Sequence, residues 1–411
     1  MAIAKTTVET AQLALPIRIA VGAASVLDGL GFSLVDLKID HLKAAAEKQT
    51  GLRGWNHPEF LRDMAALCAF VEQNPTASSL LKLNFRNDVM RRLTNYLKLQ
   101  EKIRQQPDIL QQPIKNPIII TGLPRTGTTL LQRLLAQDPA LHGPALWELF
   151  NPIESVDPQY VQERQRKTEG FVNLVRNTSL NLWSIHPTYA NEADECYFLM
   201  PQSLGEVFIY AEMDYFDWFM QRSAVFDYQL YRQYLQVMHY GRPPRRWVLK
   251  TPLHLPKLND LLTVFPDAYV IQCHRTLNQV IASWVSFTAI SRKVTHKSID
   301  LHKIARDWLH IWQVSVQQAQ IARDQRPATQ FYDVYYDDFV LDPLKTVRAI
   351  YQYFNIPLAR EAENRMQGWL DHDKQQERLG HRYTLDQCGL TENDLDLAFA
   401  DYMKRYKVYT V

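Results

Sequence analysis

Pro117-Ile-Ile-Ile-Thr-Gly-Leu-Pro-Arg-Thr-Gly-Thr-Thr-Leu-Leu131 decides how the rest of this sequence is read. Residues 117–121 are a short apolar run of strand length. Gly122 and Gly127 frame a loop, and Leu130, Leu131, Leu134 and Leu135 then recur at helical spacing. Strand, glycine loop and helix in that order open a parallel α/β sheet. The Gly122-x-x-x-x-Gly127 spacing is that of a P-loop, whose backbone N–H groups wrap a phosphate at a helix N-terminus where the dipole also favours an anion. A nucleoside triphosphatase places Lys after the second glycine to reach the β- and γ-phosphates, then Ser or Thr on magnesium. Here Thr128 holds the lysine position, and the cation sits inside the loop at Arg125.

Further along the chain the same order repeats. Trp247-Val-Leu-Lys250 reads as a strand before a helix over about 256–264, and Ala268-Tyr-Val-Ile-Gln-Cys273 as a strand before a helix starting near Leu277. Another strand is expected over 329–335 and a helix over 343–354. The expected fold class is therefore α/β, a P-loop-like three-layer α/β/α core with a parallel sheet. Upstream, residues 1–112 read as a helical N-terminal region. Leu61, Met64, Leu67, Cys68 and Val71 recur at three- and four-residue spacing, as do Met90, Leu93, Tyr96 and Leu97. The Gln- and Pro-rich run 105–117 is the expected connector into a unit spanning 113–411. That unit carries a cap insertion over about 151–245, crowded with Trp183, Tyr189, Phe208, Tyr210, Tyr215, Phe216 and Trp218. Such an insertion suits either a lid over an apolar substrate or packing on the sheet.

Composition narrows the field. The 411 residues carry 46 basic and 44 acidic side chains, a formal net charge of +2, with 46% hydrophobic and 22% charged residues. This is an ordinary globular balance with no global field to hold nucleic acid or anionic lipid, so a bound anion must be captured locally. The short run Arg242, Arg245 and Arg246 is too small for a nucleic-acid surface. Cys68, Cys196, Cys273 and Cys388 form no C-x-x-C pair, which reads as buried free thiols in a reducing cytoplasm. Pro16, Arg18 and Asp28 interrupt the apolar stretch 13–35, which rules out a bilayer span there but leaves surface contact with a membrane open. The twelve histidines include no H-E-x-x-H, and no metal is expected.

Three segments together carry a family resemblance. The loop Leu-Pro-Arg-Thr-Gly-Thr-Thr (LPRTGTT, 123–129) resembles the 5′-phosphosulfate loop of the sulfotransferases that use 3′-phosphoadenosine-5′-phosphosulfate (PAPS), in its bacterial-type form. Arg275-Thr-Leu-Asn-Gln-Val-Ile-Ala-Ser283 resembles their 3′-phosphate motif, an Arg after a strand with a Ser eight residues on. Val248-Leu-Lys-Thr-Pro-Leu-His254 resembles the strand-end segment that brings a lysine, and in some members a histidine, to the reaction centre. Order and spacing agree across all three. Two departures stand out: Thr276 and Leu277 occupy the usual Asp-Pro position, and the Gly-rich segment of the cytosolic enzymes is absent near the C-terminus.

The resemblance implies a donor site of Gly122, Pro124, Arg125, Thr126, Gly127, Thr128, Thr129, Arg275 and Ser283, with PAPS as co-substrate. Arg125 and Lys250 would neutralise charge on the leaving nucleotide during in-line attack by an acceptor oxygen. For the general base, Glu148 resembles the glutamate of glycan-directed members, and burial beside Trp147 is expected to raise its pKa. His254 is the second candidate, four residues past the lysine rather than two, and the acidic cluster Glu192, Asp194 and Glu195 is the third. Arg378, His381, Arg382 and Tyr383 form a basic and aromatic knot that suits either closure over the nucleotide or solvated surface.

The implied activity moves a sulfuryl group to a hydroxyl or amine of a small or lipid-like acceptor. A kinase or nucleotidase with an atypical loop, and an inactive nucleotide-binding protein, are the rivals. The sequence leaves the acceptor and the oligomeric state open.

Overall fold

The computed structural model describes residues 35–153, 157–178, 187–373 and 384–409. Trp183, the 13–34 part of the apolar N-terminal stretch and the knot of Arg378, His381, Arg382 and Tyr383 lie outside the described residues. At the centre is a five-stranded sheet formed by β1 (Ile118–Gly122), β2 (Leu141–His142), β3 (Arg246–Lys250), β4 (Tyr269–His274) and β5 (Phe331–Tyr335). Its order is β2-β3-β1-β4-β5, and every pair is parallel. Four strands match the expected runs to within a residue or two. The two-residue β2 carries too little pattern to be read from sequence.

Strand alternation produces the three layers. Ile118 and Ile120 of β1 face one apolar cluster with Val248, Ile271, Cys273 and Val334; Ile119 faces the opposite cluster with Leu249 and Val270. Covering both faces is what a parallel sheet requires, and it explains why the strands read as unbroken apolar runs. The first face is covered by α4 (Thr128–Leu135), α14 (Pro343–Tyr353) and α15 (Arg360–Asp373). On the second face pack α10 (Leu258–Val264), α11 (Leu277–Thr295) and α12 (Leu301–Asp324).

The second cluster runs without a break into the N-terminal helices α1 (Ile39–Thr50), α2 (Pro58–Gln73) and α3 (Ser79–Gln105). Joining them to the sheet are the insertion helices α7 (Gly205–Ile209), α8 (Met213–Gln221) and α9 (Val225–His239), while α6 (Pro158–Thr178) packs on the short α5 (Leu146–Phe150). Many of the insertion's aromatic side chains serve as packing. Tyr215 and Phe216 are buried, Tyr215 meets Phe70 of α2 edge-on at 5.8 Å, and Tyr210 meets Phe85 of α3 at 5.1 Å. Arg92 of α3 crosses to the insertion and pairs with Glu206 at 2.8 Å in the buried interface. Phe208, half-buried like Tyr210 and Trp218, lies against Trp284 and Phe287 of α11.

The connections place function at one edge. After β1 the chain builds β2 and β3 on one side of it, then β4 and β5 on the other, so a crevice opens beyond the carboxyl ends of β3, β1 and β4. The crevice depends on Gly122, the last residue of β1. Its φ is 137°, and a Cβ there would collide with the carbonyl oxygen of Cys273 and lie 2.9 Å from its backbone nitrogen. Gly122→Ala is therefore expected to lower unfolding free energy by about 3 kcal/mol or more, from left-handed strain plus a backbone clash. Urea unfolding checks this; a loss below about 0.5 kcal/mol, the usual surface-substitution range, would contradict it.

Candidate active site

The loop 123–127 is tightly wound. Arg125 (φ 66°) and Gly127 (φ 88°) both adopt left-handed backbone, an arrangement that turns successive N–H groups inward toward the start of α4. For a non-glycine residue such as Arg125 this conformation costs about 1 kcal/mol or more. The surroundings hold it: Thr126 is fully buried and its hydroxyl donates to the Leu123 carbonyl at 2.6 Å, while Pro124 is buried beside it.

Two segments that are 150 residues apart in sequence meet at this loop. The Nε of Arg125 donates to Ser283 Oγ at 3.2 Å, and Nη1 of Arg275 donates to the Arg125 carbonyl at 3.0 Å. Ser283 faces the loop from α11, and Arg275 stands just past the end of β4. Helix α11 begins at Leu277, and Thr276, at the position of the departure from Asp-Pro, gives it no side-chain cap. The Arg275 guanidinium is seated from three sides: Gln279 Oε1 accepts from Nε at 3.1 Å and from Nη2 at 2.9 Å, and the ring of Tyr336 lies 3.9 Å away. Tyr336 opens α13 (Tyr336–Leu341) directly after β5, and its ring also lies 3.0 Å from where a Cβ on Gly127 would be. Sequence reasoning passed over Tyr336. Its signal was position, the first residue beyond a parallel strand's carboxyl end.

Lys250 closes the other side. It ends β3, is fully buried, and donates from Nζ to Thr129 Oγ1 at 3.0 Å and to Glu195 Oε1 at 3.0 Å. Thr251 Oγ1 donates to the other oxygen of Glu195 at 2.8 Å. A buried ammonium without such partners would cost several kcal/mol, and Glu195 supplies the opposite charge beside it. Within the acidic cluster the roles divide. Glu192 pairs with Arg133 at 2.9 Å, Asp194 accepts from the Glu195 backbone N–H at 2.6 Å, and Glu195 alone of the three reaches the lysine.

Glu148 and His254 sit in different surroundings. Glu148 is buried on α5, where it accepts from the Ala145 backbone N–H at 3.0 Å and from Arg242 at 3.1 Å, with His142 Nε2 3.3 Å away. Burial pushes its pKa up, as the sequence suggested. The His142 ring 3.3 Å away, the Ala145 N–H and the Arg242 charge together outweigh that and hold the carboxyl at about 2. The expected rise is thus corrected to a fall, because Arg242 is 94 residues away in sequence and nothing in the sequence signals that the turn from β2 into α5 brings His142 back onto Glu148. His254 is fully enclosed. Its Nδ1 meets the Tyr228 hydroxyl at 3.0 Å and its Nε2 meets Cys196 Sγ at 3.3 Å; burial lowers its pKa to about 3. Burial also lifts the Cys196 thiol to about 12, so this group is a neutral packing unit behind Glu195. Exposure separates the three: the Glu195 side chain is 18% exposed, Glu148 9% and His254 buried.

Residues 117–360 match the model of the sulfotransferase family, beginning at the strand that leads into the loop. The chain is 24% identical over 267 residues to omega-hydroxy-beta-dihydromenaquinone-9 sulfotransferase Stf3 of Mycobacterium bovis, and equally to that of Mycobacterium tuberculosis. That match covers 58% of this chain and spans 63% of those relatives' length. Among solved structures, sulfotransferase STF9 from Mycobacterium avium superposes with a TM-score of 0.82 at 26% identity, covering 92% of this chain and 98% of that one. Sulfotransferase STF1 from Mycobacterium tuberculosis superposes with a TM-score of 0.78 at 28% identity, covering 88% and 98%. Among the described residues no cluster of His, Cys, Asp or Glu is arranged to hold a metal ion, and no helix is long and apolar enough to cross a membrane.

The Glu148 pairing has a pH signature. A carboxyl whose folded pKa is depressed from 4.5 to about 2 stabilises the fold above about pH 4.5, and that contribution disappears as the pH falls toward 2. Glu148→Gln is expected to cost about 2–3 kcal/mol at pH 7, with the gap from the parent closing across that window. Urea unfolding at a series of pH values measures it; a gap that stays constant down to about pH 2 would contradict the pairing.

Proposed function

We propose that this chain, which belongs to the sulfotransferase family, moves a sulfuryl group from PAPS to a hydroxyl or amine of a small or lipid-like acceptor. The observation that carries the proposal is the meeting of the loop with the Arg275 segment: Arg125 on Ser283, and Arg275 on the Arg125 carbonyl. Two phosphate-type sites are thereby built into one crevice, as a nucleotide with groups at its 5′ and 3′ positions requires. The cradle of Arg125 and Gly127 fits a 5′-phosphosulfate, with Gly122, Pro124, Thr126, Thr128 and Thr129 shaping it; Arg275 and Ser283 fit a 3′-phosphate. The loop geometry suits a compact anion in place of a magnesium triphosphate, since Thr128 offers no ammonium to a γ-phosphate.

The donor supplies an activated sulfur whose bond to the bridging oxygen breaks as the acceptor oxygen attacks. Arg125 and Lys250 neutralise the charge that develops on that bridging oxygen. Glu195 takes the acceptor proton. It is the candidate base that faces the lysine and retains exposure, while Glu148 is held by three partners and His254 has both ring nitrogens engaged. A second anion beside Lys250 loosens its hold on Glu195 and frees the carboxylate to accept that proton. Support for an apolar acceptor comes from the half-buried pair Phe208 and Phe287, the latter one helical turn past Ser283 on α11. The Mycobacterium relatives, sulfotransferases named for omega-hydroxy-beta-dihydromenaquinone-9, point the same way.

Arg125→Ala is expected to weaken binding of 3′,5′-adenosine bisphosphate by about 100-fold in calorimetry, the loss of a charge-assisted contact and its cradle. Unchanged affinity would remove the loop assignment. Glu195→Gln should keep that affinity within a few-fold while lowering transfer by about 10² or more. Normal transfer in that variant, alongside inactive Glu148→Gln, would return the base role to Glu148. Transfer from labelled PAPS is expected to persist in EDTA; its loss would contradict a transfer carried by Arg125 and Lys250 without a metal ion.

A further inference from the structure

His274 and Tyr335 form the last rung of the β4–β5 ladder, and the next residue on each strand is a member of the Arg275–Tyr336 pair. His274 is fully buried and bridges two elements. Its Nε2 lies 3.0 Å from Asp333 Oδ1 on β5, and its Nδ1 lies 2.7 Å from the hydroxyl of Tyr402 on the C-terminal helix α16 (Glu392–Tyr406). Asp333 is fixed in turn by a two-point clasp from Arg323 of α12, at 2.6 and 2.9 Å, and Arg323 also reaches Gln272 of β4 at 2.8 Å. The imidazole lies between the rings of Tyr335, 5.4 Å away, and Tyr406, 4.3 Å away.

This arrangement satisfies every polar atom of the ring in one tautomer. A carboxylate accepts only, so Nε2–H donates to Asp333 and Nδ1 accepts from the Tyr402 O–H. Burial, opposed by Asp333, lowers the His274 pKa, consistent with a neutral ring. Tyr402 and Tyr406 stand one turn apart on one face of α16, so the helix grips the strand end with two rings and one hydroxyl. On the exposed side, Arg405 pairs with Asp324 of α12 at 2.8 Å and holds the helix end in place.

We propose that His274, clamped between Asp333 and Tyr402, is a positioning residue for Arg275, and that docking of the C-terminal helix thereby sets the affinity of the donor site for a 3′-phosphate. The inference rests on reading Arg275 as the 3′-phosphate ligand. The physical reason is leverage. Arg275 leaves the strand at the residue after His274, and Tyr336 leaves its strand at the residue after Tyr335, so a tilt of the last rung displaces both members of the pair. Gln279 and the Arg125 carbonyl fix the guanidinium only if its Cα is correctly placed. A bidentate contact with phosphate tolerates little misplacement.

Two ligands separate positioning from plain stability: 3′,5′-adenosine bisphosphate and adenosine 5′-monophosphate, which differ by the 3′-phosphate alone. Tyr402→Phe keeps the ring packing and removes the hydroxyl. It is expected to lower affinity for the bisphosphate about tenfold and leave the monophosphate within about twofold, by calorimetry on the full chain. His274→Asn, which breaks the bridge from helix to strand, is expected to show the same selectivity loss. Equal losses for both ligands, or no loss of preference in either variant, would overturn the proposal. Arg275→Ala separates the two levels of the argument. If it abolishes the bisphosphate preference while Tyr402→Phe retains it, the positioning role alone falls; if it leaves the preference intact, the assignment of Arg275 falls, and the positioning role with it.

Discussion

The backbone of β1 rests directly on that of β4 at Gly122, and the rest of the crevice follows from that contact. With no Cβ in the way, the end of β1 meets Cys273 and the chain turns into the loop immediately. The same contact sets Arg275, two residues past Cys273, against the carbonyl of Arg125, three residues past Gly122. A side chain at position 122 would push these two strand ends apart and separate the loop from Arg275. The wider architecture serves the same end: a parallel sheet with β1 in the middle delivers β3, β1 and β4 to one edge, and each brings a basic group there.

Electrostatics in this protein are local. A chain whose charges almost cancel has little long-range attraction for an anion, so Arg125, Lys250 and Arg275 must each be held in place. Each is held differently. Arg125 is kept in left-handed backbone by its loop, Lys250 is neutralised by Glu195 in full burial, and Arg275 is seated on an aromatic ring. Glu148 and Glu195 sit in contrasting environments. Glu148 is saturated by a backbone N–H, an arginine and a histidine, which drives its pKa down and ties α5 to β2 and to Arg242, just beyond α9. Glu195 shares its oxygens between a lysine and a threonine at the sheet edge. Proton transfer needs a carboxylate that can exchange partners, and the second arrangement permits that.

Much of this was legible in the sequence, and the exceptions have physical causes. The four longer strands show as apolar runs because both faces of a parallel sheet are buried, and the loop shows because only glycines tolerate its ends. The cations at 125, 250 and 275 all follow strands, and it is the family resemblance of their three segments that singles them out. Tyr336 shares that position yet was missed, since an aromatic residue after a strand has no motif of its own. Strand β2 is too short to carry a pattern. The direction of the Glu148 shift depends on His142 and Arg242, neighbours that only the fold supplies, so burial was visible in the sequence and pairing was not. Many of the insertion's aromatic residues turned out to join the N-terminal helices to the sheet, and Phe208 and Phe287 are the pair left half-buried near Ser283.

A crystal structure of this chain with 3′,5′-adenosine bisphosphate is the most direct test of the central claim, that one crevice holds the two ends of the donor nucleotide. The expected density places the 5′-phosphate in the loop 123–129 beside Lys250 and the 3′-phosphate on Arg275 and Ser283. A nucleotide bound elsewhere, or with its two phosphates exchanged between these sites, would contradict it.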